Sequence, residues 1–140
     1  MFGEFVTQNI IWVGAFVIVA NLLILSLLSG NIKGVSSISA LSLPQLQRGG
    51  KSIILDVCEK AEFTRSHIPD SINHPLGSIN TENKALMKLK DKTTIIVCQS
   101  GARSNKAAKK LVGLGFTDLH VLSGGLTSWT KENLPVIAGK

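Results

Sequence analysis

From Ile10 to Leu28 the chain is apolar at every position except Asn21 and Ser26. Nineteen residues at ~1.5 Å each predict a helix of about 28 Å, close to the ~30 Å hydrocarbon layer of a bilayer. Beyond residue 34 the pattern changes to short β-branched runs separated by helix-length stretches. Strands are expected at Val35 to Ile38, Ser52 to Val57, around Ile72, Thr93 to Val97 and Asp118 to Leu122. Helices are expected after Ser42, with Pro44 in the first turn and Gly49 and Gly50 as the stop, and as one turn over Ala61 to Phe63. Three more are expected over Thr81 to Leu89, Ser104 to Leu114 and Leu126 to Asn133; the second carries an inward stripe of Ala107, Ala108, Leu111 and Val112.

Strands alternating with helix-length segments predict an α/β fold: an open parallel five-stranded sheet with helices on both faces, preceded by one transmembrane helix. The expected organisation is a tail over 1–9, a span over 10–28, a Ser- and Gly-containing juxtamembrane linker over 29–37 and one domain over 38–138. The apolar run reads as a retained anchor because no basic side chain precedes it and no Ala-x-Ala follows it. A cleaved signal or a partner-binding helix is the alternative. Asn21, near its centre, is expected either to be tolerated or to hydrogen-bond a second helix.

Charge sharpens this picture. The first 32 residues hold only Glu4, so the remainder carries fifteen basic and eight acidic side chains, a net +7. Lys33, Arg48 and Lys51 follow the span and only Glu4 precedes it, so a single-pass chain with its folded domain facing the cytoplasm is expected. Trp12 fits an interfacial aromatic. Lys84, Lys88, Lys90, Lys106, Lys109 and Lys110 fall on predicted helix surfaces and read as solvated faces or as attraction to an anionic leaflet. No aromatic residues interleave with them, so no nucleic-acid partner is expected.

The candidate chemistry lies in two cysteines, Cys58 and Cys98. They make no disulfide framework, and neither has a second Cys or His at metal-ligand spacing, so neither a metal nor an organic cofactor is expected. Cys98 stands at the end of a predicted central strand, with Gln99, Ser100, Gly101, Ala102 and Arg103 leading into a helix that contains Ser104. A strand, tight loop and helix start aim backbone N–H groups and a positive helix end at one sulfur on the loop's rim, and Arg103 adds a charge. A thiol so placed is expected to ionise easily and to act on a small anion. In open parallel sheets ligands bind off the carboxyl ends of strands, where Cys98 falls.

Four stretches together resemble the rhodanese domain family, over roughly residues 35–138. They are Leu55-Asp56-Val57 with Glu62-Phe63, His67-Ile68-Pro69 with Ser71-Ile72-Asn73, Cys98 to Ser104, and Gly124-Gly125-Leu126 with Trp129 and Asn133-Leu134-Pro135. The anchor and single domain are similar to the membrane-bound rhodanese proteins of bacteria. The resemblance implies a sulfurtransferase in which Cys98 takes a sulfane sulfur, for instance from thiosulfate, holds it as a persulfide and passes it to a thiol or cyanide. The implied partners are a small sulfur-containing anion, a thiol acceptor, the bilayer through residues 10–28 and a membrane-protein partner. The same family includes phosphatases whose loop is one residue longer; four residues between Cys98 and Arg103 favour sulfur over phosphate.

Supporting roles are expected nearby. Asp56 is expected to accept N–H bonds that hold the loops. His67 is expected to pack or turn the chain rather than to catalyse. Arg103 is expected to meet the anion or brace the loop. Cys58 stands where the family commonly has an arginine after Asp-Val; it reads first as a small buried hydrophobe and second as a persulfide relay or redox pair with Cys98. Ser66 and Asp70 stand where glycines are usual around His-Ile-Pro, a turn difference expected to be neutral. The competing class is a membrane-tethered binding module with little turnover.

Overall fold

The computed structural model describes residues 1–28 and 34–139, so residues 29–33 of the expected linker, Lys33 among them, lie outside the described residues. The chain divides into two compact units, Met1–Asn31 and Ile32–Lys140.

The first unit is two helices, α1 (Phe2–Gln8) and α2 (Ile10–Leu28). The expected tail is thus helical over most of its length, with Asn9 donating its backbone N–H to the Phe5 carbonyl between the two. An 18-residue stretch, Ile10–Leu27, is long and apolar enough to cross a membrane. Trp12, Phe16, Leu23 and Leu27 are all exposed, so the helix is apolar on every side rather than along one stripe. The Asn21 amide donates to the Val17 carbonyl at 2.9 Å, one turn back. It is satisfied by its own helix, because the preceding turn's carbonyl is the acceptor nearest a side chain that leans toward the N-terminus.

The second unit is a five-stranded sheet of order β1-β5-β4-β2-β3, with every pairing parallel. The strands are β1 (Val35–Ile38), β2 (Ser52–Asp56), β3 (Ile72–Asn73), β4 (Thr93–Val97) and β5 (Leu119–Leu122). Between them lie α3 (Leu43–Gln47), α4 (Lys60–Arg65), α5 (Lys84–Met87) and α6 (Ala102–Gly113), and α7 (Gly125–Lys131) follows β5. β1 begins inside the segment expected as linker.

Side-chain alternation along the strands builds two cores. Leu55, Val57, Ile96, Leu119 and Val121 pack with Ala107, Ala108 and Leu111 of α6 on one face. Ile54, Ile95, Val97 and Leu122 pack with Leu43 of α3 and Leu126 and Trp129 of α7 on the other. Each fully buried leucine or isoleucine contributes roughly 1.5–3 kcal/mol, which makes this two-sided burial the main force holding the sheet. Because all strands run the same way, Ile38, Asp56, Val97 and Leu122 end at one edge of the sheet, and the loops that follow converge there.

The helix expected over Thr81 to Leu89 is only the four residues of α5, preceded by a 3₁₀ turn at Leu76–Ser78. The Asn80 side chain accepts the N–H groups of Glu82 and Asn83, and the Asn83 side chain accepts that of Leu86. These bonds divert the backbone from the helix ladder until Lys84. Asp70 holds a φ of 66°, the left-handed conformation that a glycine adopts freely and aspartate tolerates better than most residues.

Candidate active site

β4 ends at Val97, and the chain turns through Cys98–Gly101 into α6. Gly101 is the N-cap of α6 with φ 106°, a conformation open to glycine and strained for other residues. That turn brings the Gly101 N–H to 2.9 Å from Cys98 Sγ, and the first turn of the helix brings the Ser104 N–H to 3.4 Å. Two amide dipoles and the positive end of a twelve-residue helix therefore converge on one sulfur.

Cys98 is fully buried, at the base of the loop rather than on its rim. The reason is strand parity: Cys98 lies two residues after Ile96, so both point to the face covered by α6, while Val97 points to the other. Gln99 and Ser100, the next two residues, are exposed, so solvent begins one residue away. Ser104 is also fully buried, and its hydroxyl has no hydrogen-bond partner among the described residues.

Arg103 lies in the first turn of α6, not in the loop, and turns away to α4. Its guanidinium makes a two-pronged ion pair with Glu62, at 2.6 Å and 3.1 Å. The Glu62 carboxyl is held below its ordinary value chiefly by this bond, and the Arg103 value is raised by the same partner. Glu62 is itself placed by a capping box, since it accepts the Glu59 N–H while Glu59 accepts a backbone N–H in the first turn of α4.

Asp56 ends β2 beside the loop and is buried, with its carboxylate accepting the Cys58 N–H at 2.9 Å. Burial pushes the Asp56 carboxyl above its ordinary value of 3.8, against the lowering effect of the Cys58 bond. The Asn73 amide closes this corner by donating to the carbonyls of Asp56 and Cys58. The Cys58 thiol is pushed up to about 12 by burial and by the Asp56 charge, so it is neutral at physiological pH. His67 is buried, donates Nδ1–H to the Phe63 carbonyl at 2.7 Å and stacks on the Phe63 ring at 3.7 Å. Its backbone pairs with Ile137, and no hydrogen bond joins it to the cysteine loop.

The N-terminal turn of α7 holds the loop from the other side. The Leu126 N–H donates to the Cys98 carbonyl at 2.8 Å, the Thr127 N–H to that of Gln99 at 3.1 Å, and the Thr127 hydroxyl to the Gln99 carbonyl at 3.0 Å. Among the described residues, no group of three or more His, Cys, Asp or Glu side chains is placed to hold a metal ion.

The family description of the rhodanese-like domain matches residues 39–132 of this chain. The chain belongs to the rhodanese-like domain family. The sulfurtransferase of Allochromatium vinosum is 31% identical over 105 residues, covering 74% of this chain and 96% of that protein. Protein slr1261 of Synechocystis is 35% identical over 104 residues, and the match spans 74% of this chain but only 57% of slr1261. The crystal structure of a rhodanese-related protein from Thermoplasma volcanium superposes with a TM-score of 0.63 at 32% identity, covering 73% of this chain and 97% of that one.

In this rhodanese-like domain the structure gathers Cys98, Gly101 and Ser104 around the sulfur, pairs Arg103 with Glu62, and joins Asp56 to Cys58. It leaves His67 in a separate packing contact. The residues without an assigned role in the sequence reading are Glu62, Asn73, Gly125 and Thr127. Glu59 and Glu62, three residues apart at capping-box spacing, and the Gly124-Gly125 doublet opening a helix, are the signals that point to two of them.

The Asp56 geometry gives a direct expectation. Asp56→Asn keeps an oxygen for the Cys58 N–H and removes a buried charge, whereas Asp56→Ala leaves that N–H unpaired at a cost of about 1–3 kcal/mol. Because the folded carboxyl is raised above its ordinary 3.8, its contribution to stability is full below that value and is lost as pH rises through the folded one. Thermal unfolding is therefore expected to show Asp56→Asn gaining on the wild type as pH rises out of the acid range, with Asp56→Ala the least stable of the three at neutral pH.

Proposed function

We propose that this chain is a membrane-anchored sulfurtransferase that moves a sulfane sulfur from a thiosulfate-like donor to a thiol or cyanide through a Cys98 persulfide. The observation that carries this reading is the pair of amide N–H groups, from Gly101 and Ser104, directed at Cys98 Sγ beside the start of α6. Such donors favour negative charge on Sγ, in the attacking thiolate and in the thiolate released in the return step alike.

In the first step Sγ forms a bond to the outer sulfur of thiosulfate. The donor's own S–S bond breaks, and its electron pair leaves on sulfite. In the second step an acceptor thiolate or cyanide bonds that outer sulfur, and the electron pair of the persulfide bond returns to Sγ. Ser104, whose N–H meets Sγ, also holds a buried hydroxyl with no hydrogen-bond partner among the described residues. Four residues between Cys98 and Arg103 support a sulfur-sized rather than a phosphate-sized loop. Arg103 braces the loop against α4 through Glu62, and Asp56 braces the neighbouring turn.

Residues 10–28 are the proposed anchor, supported by a helix apolar on all sides. Basic residues after it and only Glu4 before it support a cytoplasm-facing domain, 38–138, at the inner membrane. A membrane-tethered binding module is the second reading, favoured by the complete burial of Cys98 and by the engagement of Arg103 with Glu62.

One assay separates the two. The purified full chain in detergent, given thiosulfate and cyanide, is expected to form thiocyanate, and the Cys98 peptide isolated after thiosulfate alone is expected to be heavier by one sulfur atom. A chain that forms no thiocyanate and takes up no sulfur is a binding module.

A further inference from the structure

Arg103 was expected to meet the anion or to brace the loop, and both arms of its guanidinium are spent on Glu62. The charge facing an incoming anion must come from elsewhere. Against the cysteine loop lies a groove of about 370 Å³ lined by Glu62, Arg65, Ser66, Gln99, Leu126 and Thr130. Two of these residues tie it to the backbone of the cysteine loop: Gln99 follows Cys98 in the chain, and Leu126 donates its N–H to the Cys98 carbonyl. Arg65 is exposed, three residues after Glu62 on α4, and no ion pair engages it among the described residues. The single carboxylate in the groove wall is Glu62, whose charge is already matched by Arg103. Ser66, Gln99 and Thr130 add neutral hydrogen-bonding groups.

We propose that this groove, which borders the cysteine loop at Gln99, is the binding site for the carboxylate-bearing part of a low-molecular-weight thiol, with Arg65 as its anchor. The inference rests on the sulfurtransferase reading and names its acceptor class. A volume near the lower end of small-molecule sites is larger than a single small inorganic anion requires, and a guanidinium pairs with a carboxylate in a planar, two-pronged geometry. In the transfer step the bound thiolate sulfur forms a bond to the outer sulfur of protonated Cys98 persulfide. The bond from that sulfur to Sγ breaks with its electron pair going to Sγ. The acceptor leaves as a persulfide that keeps the proton, and the carboxylate on Arg65 is unchanged.

The test uses the full chain in detergent, loaded with thiosulfate and desalted, then discharged in a single turnover by 3-mercaptopropionate, which carries a carboxylate, or by neutral 2-mercaptoethanol. The ratio of the two discharge rates is expected to fall about fivefold in Arg65→Ala and in Arg65→Gln, and to be largely kept in Arg65→Lys. A ratio unmoved by either neutral variant overturns the proposal. A second readout needs no sulfur transfer: the rate of Cys98 alkylation by iodoacetate relative to iodoacetamide, followed on the Cys98 peptide. This ratio is expected to fall in the same two variants. If the chain cannot be loaded with sulfur, the sulfurtransferase reading fails while the alkylation ratio still decides whether Arg65 draws carboxylates to Cys98, and an unchanged ratio removes that role.

Discussion

Cys98→Ser is expected to lower thiocyanate formation by at least about a thousandfold while leaving the fold intact. The serine hydroxyl occupies nearly the same volume, so the core formed by Leu55, Ile96 and Ala107 around it is preserved. An alcohol oxygen, however, is not ionised near neutral pH and offers no sulfur to carry the transferred atom. The two amides that point at Sγ would then face a neutral group, and the persulfide could not form. The other thiol cannot substitute, because Cys58 is held neutral by burial and by the Asp56 charge. Turnover by Cys98→Ser within tenfold of the wild type would move the nucleophile elsewhere, and the mass of the sulfur-loaded peptide would show where.

The second large effect is expected at Gly125, which touches no substrate. A Cβ built there would lie 2.4 Å from the Cys98 carbonyl oxygen and 2.8 Å from the carbonyl carbon and oxygen of Gln99, on a backbone with φ of 60°. Backbone atoms, unlike the tip of a flexible side chain, cannot swing aside, so the loop or α7 must move. Backbone strain of about 1–3 kcal/mol adds to the weakening of the Leu126 and Thr127 N–H bonds to the loop. Gly125→Ala is therefore expected to lower the unfolding midpoint by roughly 10 °C or more and to depress sulfur transfer beyond the loss of folded protein. Gly113→Ala is the control: its Cβ meets nothing within 4 Å and its φ is ordinary. It is expected to be neutral or stabilising by up to about 1 kcal/mol. Circular dichroism melts of both, with activity measured well below the lower midpoint, separate damage to the loop from damage to the fold.

Much of the architecture was legible before any coordinates. The helix over Ile10 to Leu28 and the strand Thr93 to Val97 fall where the hydropathy pattern puts them, because both depend on contiguous apolar residues. The Cys98 loop was legible as well, since a glycine three residues after a cysteine and just before a helix is a local signal. α6 nevertheless begins at Ala102, two residues before the expected Ser104. That shift moves Arg103 from the loop into the helix and changes what its side chain can reach. Thr81 to Leu89 misled for a related reason: its helix formers are real, but the Asn80 side chain takes the N–H groups of Glu82 and Asn83, and Asn83 caps a helix that starts only at Lys84.

Local order along the chain thus set the elements, their parallel sequence and the place of the cysteine loop, since helix and strand periodicity and glycine turns act over a few residues. Packing across long separations decided the rest. Arg103 meets Glu62, 41 residues earlier, only because α4 and the start of α6 are brought to the same edge of the sheet. Gly125 matters only because α7 presses on a loop 26 residues before it, and Cys98 is enclosed only because α6 folds back over its face. Whether a charge is spent follows from those meetings, because it depends on what stands within a few ångströms of it in space.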